Sequence, residues 1–275
     1  MVKYQMFKPQ AVLREYIKFF WSLEAEVDPH EPFVHRALPD NCLELIFYCK
    51  GKLSISSLAG SEGYTFTSGL FGQAQKFRQF KTDADFGLFG VYLYPYSLKH
   101  LFNMPADALT NEKVDSKTLW GIEGEVLEEQ VMLAPSTEER LQIVSEFFLG
   151  KIRSLQKYER AFLQRIREVA DSNIIHPIAS FAHDCSLSRR QFERRFRELS
   201  GFSPKDFFDL VRFKNAINEM EKEALPLAQI AINAGYYDQS HFTNEFKKLS
   251  GYTPKEFVLN HHPETDTRAT RDFKD

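Results

Sequence analysis

Late in the chain, apolar residues recur at the helical spacing i, i+4, i+7: Phe192, Phe196 and Leu199, then Phe242, Phe246 and Leu249, which predicts two amphipathic helices. The two stretches are copies of one another. QFERRFRELSGFSPKDF, from Gln191 to Phe207, aligns with HFTNEFKKLSGYTPKEF, from His241 to Phe257, at a constant offset of 50. Phe192, Phe196, Leu199, Ser200, Gly201, Pro204, Lys205 and Phe207 recur as Phe242, Phe246, Leu249, Ser250, Gly251, Pro254, Lys255 and Phe257. The glycine ends each helix in the left-handed position just past its last turn. Ser203-Pro204-Lys205-Asp206 and Thr253-Pro254-Lys255-Glu256 then supply a hydroxyl N-cap, a proline at the first helical position and an acid two residues on, the start of a new helix. Upstream, the shorter apolar segments Ile178 to Ala182 and Leu227 to Ala231 each precede a turn region, at 183–187 and 233–237. Short helix, tight turn and longer helix form a helix-turn-helix unit, here twice, with 206–223 predicted as one long helix between the units.

The first 120 residues follow a different pattern. Alternation and β-formers mark Leu43 to Tyr48, Lys52 to Leu58 and Phe89 to Tyr94, separated by Gly-bearing breaks, which predicts a mainly β domain. Leu98 to Phe102 reads as a short helix, and Thr137 to Leu149 and Lys157 to Ala170 as helices that connect the halves. The predicted organisation is a mainly β domain over 1–150, a helical domain with two helix-turn-helix units over 151–260 and a disordered tail over 261–275. The fold class is therefore α+β with two domains.

Length and composition set the outer limits. A chain of 275 residues with 43% hydrophobic and 27% charged residues, 26 Phe and 11 Tyr is neither disordered nor collagen-like and has room for two cores. No apolar run reaches the roughly 18 residues of a membrane span, and the first residues, Met1 to Met6, lead into no signal core. A cytoplasmic protein is expected, without a membrane partner. Cys42, Cys49 and Cys185 form no CxxC pair, so reduced thiols are expected rather than a disulfide framework. Cys42 and Cys49, seven apart, would point to opposite faces of a continuous strand and read as buried thiols rather than a redox pair.

The net charge of −3 argues, as an average, against nucleic-acid binding. The charge is unevenly placed. Residues 1–154 carry 16 basic and 20 acidic side chains and residues 155–260 carry 16 and 14. Within the latter, Ser188 to Arg197 holds five arginines against the single acid Glu193. A run of arginines on one helix is commonly just a solvated face; its place in a duplicated unit changes the reading. Stepping 100° per residue from Phe192 puts Arg190, Arg194 and Arg197 opposite the apolar side. Arg190, Glu193 and Arg194 lie nearest the base edges of a DNA major groove, where arginine reads guanine, and Arg197 suits a phosphate. Glu193 can accept from cytosine or tie down a neighbouring arginine. From Phe242 the same construction puts Ser240 and Asn244 opposite the core, Gln239 and His241 at the helix start and Lys247 one turn on. Asn and Gln pair with adenine. Two such helices on one frame can meet successive grooves about 34 Å apart.

At these residues the chain resembles the DNA-binding domain of the AraC/XylS family of bacterial transcription regulators. The resemblance covers about 157 to 259. It includes Pro204, Phe207, Arg212 and Ala216, then Ile230-Ala231, Ala234-Gly235-Tyr236, Ser240-His241-Phe242, Phe246-Lys247-Lys248 and Gly251-Tyr252-Thr253-Pro254. It implies that both recognition helices enter adjacent major grooves, with Arg190, Glu193, Arg194, Gln239, Ser240, His241 and Asn244 approaching bases. The implied partner is double-stranded DNA, with RNA polymerase beyond it.

Leu38-Pro39-Asp40, Glu44 to Phe47, Gly90 to Pro95 and Leu119-Trp120-Gly121 look like an uncharacterised domain that accompanies this module in some bacterial regulators. A cupin-like β barrel is expected by analogy, and a small-molecule effector, a homodimer or both are implied as its business. No cofactor is expected. His30, His35, Glu44 and His100 are of metal-ligating types but lack the two closely spaced histidines and following acid of a metal cupin, so no metal is expected. Phe86, Phe89, Tyr92, Tyr94 and Tyr96 suit an apolar pocket or, as is more usual for aromatic residues in β domains, a core. The chain carries no G-x-S-x-G, Walker loop or dinucleotide fingerprint. It reads as a regulator, not an enzyme; the alternative is a metal cupin or DNA-repair enzyme that uses the helix-turn-helix module for targeting.

Overall fold

The computed structural model describes residues 2–56, 62–64, 66–152, 162–164, 166, 187–222 and 225–260. The chain divides into two compact units. The first comprises Met1–His35, Cys42–Gln73 and Gln79–Ser154; the second comprises Leu155–Asp275 with the short pieces Arg36–Asn41 and Ala74–Arg78.

The amino-terminal unit is built on β1 (Val2–Phe7), β2 (Ile17–Ala25), β4 (Leu43–Lys50), β7 (Ser68–Phe71), β9 (Phe86–Leu93) and β10 (Lys113–Asp115), in the order β1-β2-β9-β4-β7-β10. A second sheet has the order β3-β8-β5-β6, from β3 (Phe33–Ala37), β5 (Ser54–Ser56), β6 (Glu62–Tyr64) and β8 (Arg78–Thr82). This is the expected mainly β domain, built from two sheets, and no closed barrel is formed among the described residues. At the edges of the larger sheet β1 pairs with β2 and the three-residue β10 pairs with β7.

The centre of the larger sheet is β9, antiparallel to both β2 and β4. Its sequence, FGLFGVYL, is buried at every position but Tyr92, so it reads as a nearly continuous apolar run rather than an alternation. Gly90 stands opposite Trp21 on β2, and a Cβ there would lie 2.1 Å from the indole ring. The aromatic stretch is core: Phe86, Phe89, Tyr94 and Tyr96 are buried, and the half-buried Tyr92 stacks on Phe19 with ring centroids 4.7 Å apart. Four helices follow, α1 (Ser97–Phe102), α2 (Ser116–Trp120), α3 (Ile122–Leu133) and α4 (Thr137–Leu149). Asp115 caps α2 by accepting from the Thr118 amide at 2.9 Å, and the Thr118 hydroxyl, then that amide, hold its carboxyl below the usual aspartate range.

The carboxy-terminal unit is helical: α5 (Arg189–Ser200), α6 (Pro204–Lys222), α7 (Leu227–Asn233), α8 (Gln239–Ser250) and α9 (Pro254–Asn260). Its duplication is repeated in the packing. Phe192, Phe196, Phe242 and Phe246 are at most 1% exposed. Phe196 meets Phe207 edge-on at 5.2 Å, and Phe246 meets Phe257 edge-on at 5.1 Å. After each longer helix a buried serine hydroxyl closes the turn: Ser200 Oγ accepts from the Phe202 amide at 3.3 Å and Ser250 Oγ from the Tyr252 amide at 3.1 Å. Gly201 and Gly251 hold φ of 80° and 79°, a region that a side-chain-bearing residue enters only with strain. The next helices begin with the expected caps. The Asp206 amide donates to Ser203 Oγ and the Glu256 amide to Thr253 Oγ1, each at 3.2 Å. The Thr253 amide also donates to the Glu256 carboxylate, which keeps that carboxyl below its ordinary range. The helix expected at 157–170 is described only at 162–164 and 166, all helical. The segment Ile178 to Ala182, the turn through residue 186, Cys185 and the tail 261–275 lie outside the described residues.

Candidate nucleic-acid interface

Local chemistry starts both longer helices of the repeat, and by different means. Ser188 opens α5 with a capping box: the Gln191 amide donates to Ser188 Oγ at 3.4 Å and the Ser188 amide to Gln191 Oε1 at 3.1 Å. Asp238 opens α8 by accepting from the His241 amide at 2.7 Å. An acid there also complements the positive end of the helix dipole.

With Phe192, Phe196 and Leu199 buried on one side of α5, Arg190, Arg194 and Arg197 are exposed on the other. Glu193 is half-buried, and its Oε1 accepts from Arg189 Nε at 2.9 Å. Of the two roles open to Glu193, the free chain therefore displays the tie to a neighbouring arginine. Arg195 turns the other way, its guanidinium lying 5.2 Å from the centre of the Phe162 ring. On α8 the residues Gln239, Ser240, His241, Asn244 and Lys247 are all exposed. The first surface thus offers guanidinium groups and the second amide, hydroxyl and imidazole groups, with the ammonium groups of Lys247 and Lys248 in the last turn of α8.

Sequence reading missed the polar joint behind α8. Arg212, on α6, lies 3.6 Å from Glu245 Oε2 on α8 and pairs with Asp209 on its own helix. Its guanidinium sits 5.6 Å from the centre of the Tyr236 ring. Burial, and then the Glu245 charge, push the Tyr236 hydroxyl well above the usual phenol range. Arg212 and Tyr236 both stand in the family-like stretches quoted above, but nothing in the spacing showed that they share a partner.

The other candidate chemistry is quiet. Among the described residues, no group of three or more His, Cys, Asp or Glu side chains is placed to hold a metal, and His30, His35, Glu44 and His100 form no such group. Cys42 is buried and Cys49 half-buried, and neither is in a disulfide. Burial raises the Cys49 thiol above its ordinary value, with the Arg140 charge opposing. Among the described residues no helix is long and apolar enough to cross a membrane.

The family of helix-turn-helix domains matches residues 181–259, the stretch that carries α5 to α9 and both exposed faces. The carboxy-terminal unit carries an AraC-type helix-turn-helix domain. Residues 5–115 match a second family, the domain of unknown function DUF6597. With its AraC-type domain the chain is a DNA-binding transcription regulator. No curated protein sequence matches the chain. Among solved structures, ToxT from Vibrio cholerae is similar at 13% identity and a TM-score of 0.47, over 94% of this chain and 98% of that one. An AraC-type DNA-binding domain protein from Chromobacterium violaceum is similar at 20% identity and 0.34, over 39% and 100%. A dual transcriptional regulator from Escherichia coli K-12 is similar at 23% and 0.31, over 35% and 93%. The assignment of the AraC-type domain rests on the matched residues themselves.

Proposed function

We propose that α5 and α8 are the two reading helices of this regulator and enter successive major grooves of one duplex face. The observation that carries the reading is the exposure of a complete polar face on each copy of the repeat. Arg190, Glu193 and Arg194 approach bases from α5, as do Gln239, Ser240, His241 and Asn244 from α8. Arg197 and Lys247 grip phosphate. The spacer fits: α6, with 19 residues, is about 28 Å long at 1.5 Å per residue, comparable with the roughly 34 Å between grooves on one face. The amino-terminal unit is proposed to govern this activity by taking a small-molecule effector, by forming a homodimer, or both, with RNA polymerase as the downstream partner. Exposed Ile122, Val126 and Leu133 on α3 support a role in assembly; sedimentation that shows a monomer at all concentrations would remove the homodimer from the proposal.

Two substitutions test the DNA-binding reading. Arg194→Ala should cost about 1 to 3 kcal/mol of specific binding and relax the preference at one base position. Unchanged affinity and preference in a binding-site selection would refute the role of that side chain. Arg197→Ala should weaken all sequences alike and lower the slope of log affinity against log salt by about one unit. A salt titration that keeps the wild-type slope would place Arg197 away from the phosphates.

A further inference from the structure

Glu245 is the one residue of α8 whose two carboxylate oxygens face different partners on opposite sides. Its Oε2 lies 3.6 Å from the Arg212 guanidinium on α6, and its Oε1 lies 3.4 Å from His241 Nε2, one turn earlier on α8. The chain of contacts runs from interior to surface. Arg212 and Glu245 are 17% and 21% exposed at the side chain, and His241 is 42% exposed. Tyr236 braces both ends, with Arg212 over its ring and the His241 ring edge-on at 5.5 Å. Among the described residues, the first helix-turn-helix unit carries different side chains at the matching positions of its longer helix. Fifty residues before Glu245 stands Arg195, set against Phe162, and fifty before His241 stands Gln191, which is occupied in capping α5.

Accepting α8 as a reading helix, we propose that Glu245 is a specificity-determining positioning residue that sets which hydrogen-bonding group His241 shows to DNA. A neutral imidazole carries one N–H and one acceptor nitrogen, and the partner of one nitrogen decides the state of the other. A carboxylate can only accept, so the hydrogen sits on Nε2, directed at Glu245, and Nδ1 is left as the acceptor. An acceptor in the major groove selects an exocyclic amino group, adenine N6 or cytosine N4, over the acceptors of guanine and thymine. Arg212 supplies the direction. At 3.6 Å it makes no hydrogen bond to Oε2, but it can only donate, so its charge favours an acceptor on that side of residue 245 whatever stands there. In Glu245→Gln the amide oxygen therefore turns to Arg212 and the NH2 turns to His241. Nε2 becomes the acceptor, Nδ1 takes the hydrogen, and the reading is reversed.

The test is selection from a randomised duplex pool by the full chain in mildly alkaline buffer. Wild type, His241→Ala and Glu245→Gln are compared, with melting curves for each. His241→Ala should erase a preference of about five- to tenfold at one position, the worth of a single hydrogen bond. Wild type should hold adenine or cytosine there, on the strand fixed by the rest of the site. Glu245→Gln should turn that position to guanine or thymine and leave the others as they were. The proposal is overturned if Glu245→Gln keeps the wild-type base, if it merely flattens the position as His241→Ala does, or if wild type prefers guanine or thymine. A wild-type chain that enriches no sequence overturns the two-helix reading itself, an outcome distinct from all of these. Should Glu245→Gln fail to melt cooperatively, nitrogen NMR of the wild-type chain decides: a hydrogen on Nε2 of His241 supports the proposal, and one on Nδ1 refutes it.

Discussion

Replacing Phe246 by alanine is expected to cost about 3 to 5 kcal/mol of stability in the carboxy-terminal unit, the range for emptying an aromatic site in a packed core. The side chain is fully buried and touches three other rings: Phe213 at 4.9 Å, Phe242 at 5.5 Å and Phe257 at 5.1 Å. Those rings come from α6, α8 and α9, so one cavity opens at the point where three helices meet. Whole-domain stabilities are about 5 to 15 kcal/mol; the substitution therefore removes a large share, and folding at growth temperature should become marginal. Chemical denaturation followed by far-ultraviolet circular dichroism measures the loss. Val258→Ala is the control, because Val258 is 59% exposed on α9 and should change little. A Phe246→Ala midpoint indistinguishable from that control would mean that the apolar face of α8 is not the packed one.

Gly90→Val is the second large effect, expected at about 3 kcal/mol of destabilisation in the amino-terminal unit, the upper end for overpacking a tight core. Two forces oppose each other. Valine suits a strand better than glycine, a gain of about 1 kcal/mol at most. Against it, the first added carbon would stand 2.1 Å from the Trp21 indole, far inside contact distance. The clash must move either the indole or β9 itself, and β9 is hydrogen-bonded on both sides, to β2 and β4. Steric cost therefore wins. Trp21 is one of two tryptophans, the other being Trp120, so part of the emission should shift together with the loss of stability. A variant with wild-type stability would show that the indole has room to turn aside.

The carboxy-terminal half was open to reading from sequence because each of its signals is local. Helical spacing of Phe192, Phe196 and Leu199, the glycine stops and the Ser203 and Thr253 caps are all fixed within a dozen residues, and a second copy repeats them. The structure has the same residues buried and the same caps formed. The amino-terminal half hid more. Strand β2, IKFFWSLEA, is buried at every position but Lys18 and Glu24, so it shows no alternation to mark it as a strand. Helix α3 keeps Ile122, Val126 and Leu133 in solvent while burying Gly124, Leu127 and Val131. Its apolar residues therefore lie around the whole circumference and gave no helical stripe. The joint between Arg212 and Glu245 was hidden for another reason: the partners are 33 positions apart and on different helices, beyond the reach of any local spacing rule.

One consequence of the repeat concerns the target. The frame is the same twice, but α5 is dressed with guanidinium groups and α8 with amides, hydroxyl and imidazole. Two unlike heads on one body cannot exchange places, so on the proposed reading a single chain lies along its operator in one direction only. The site then has a front and a back, and inverting it relative to a promoter should change which end of the protein meets the transcription machinery.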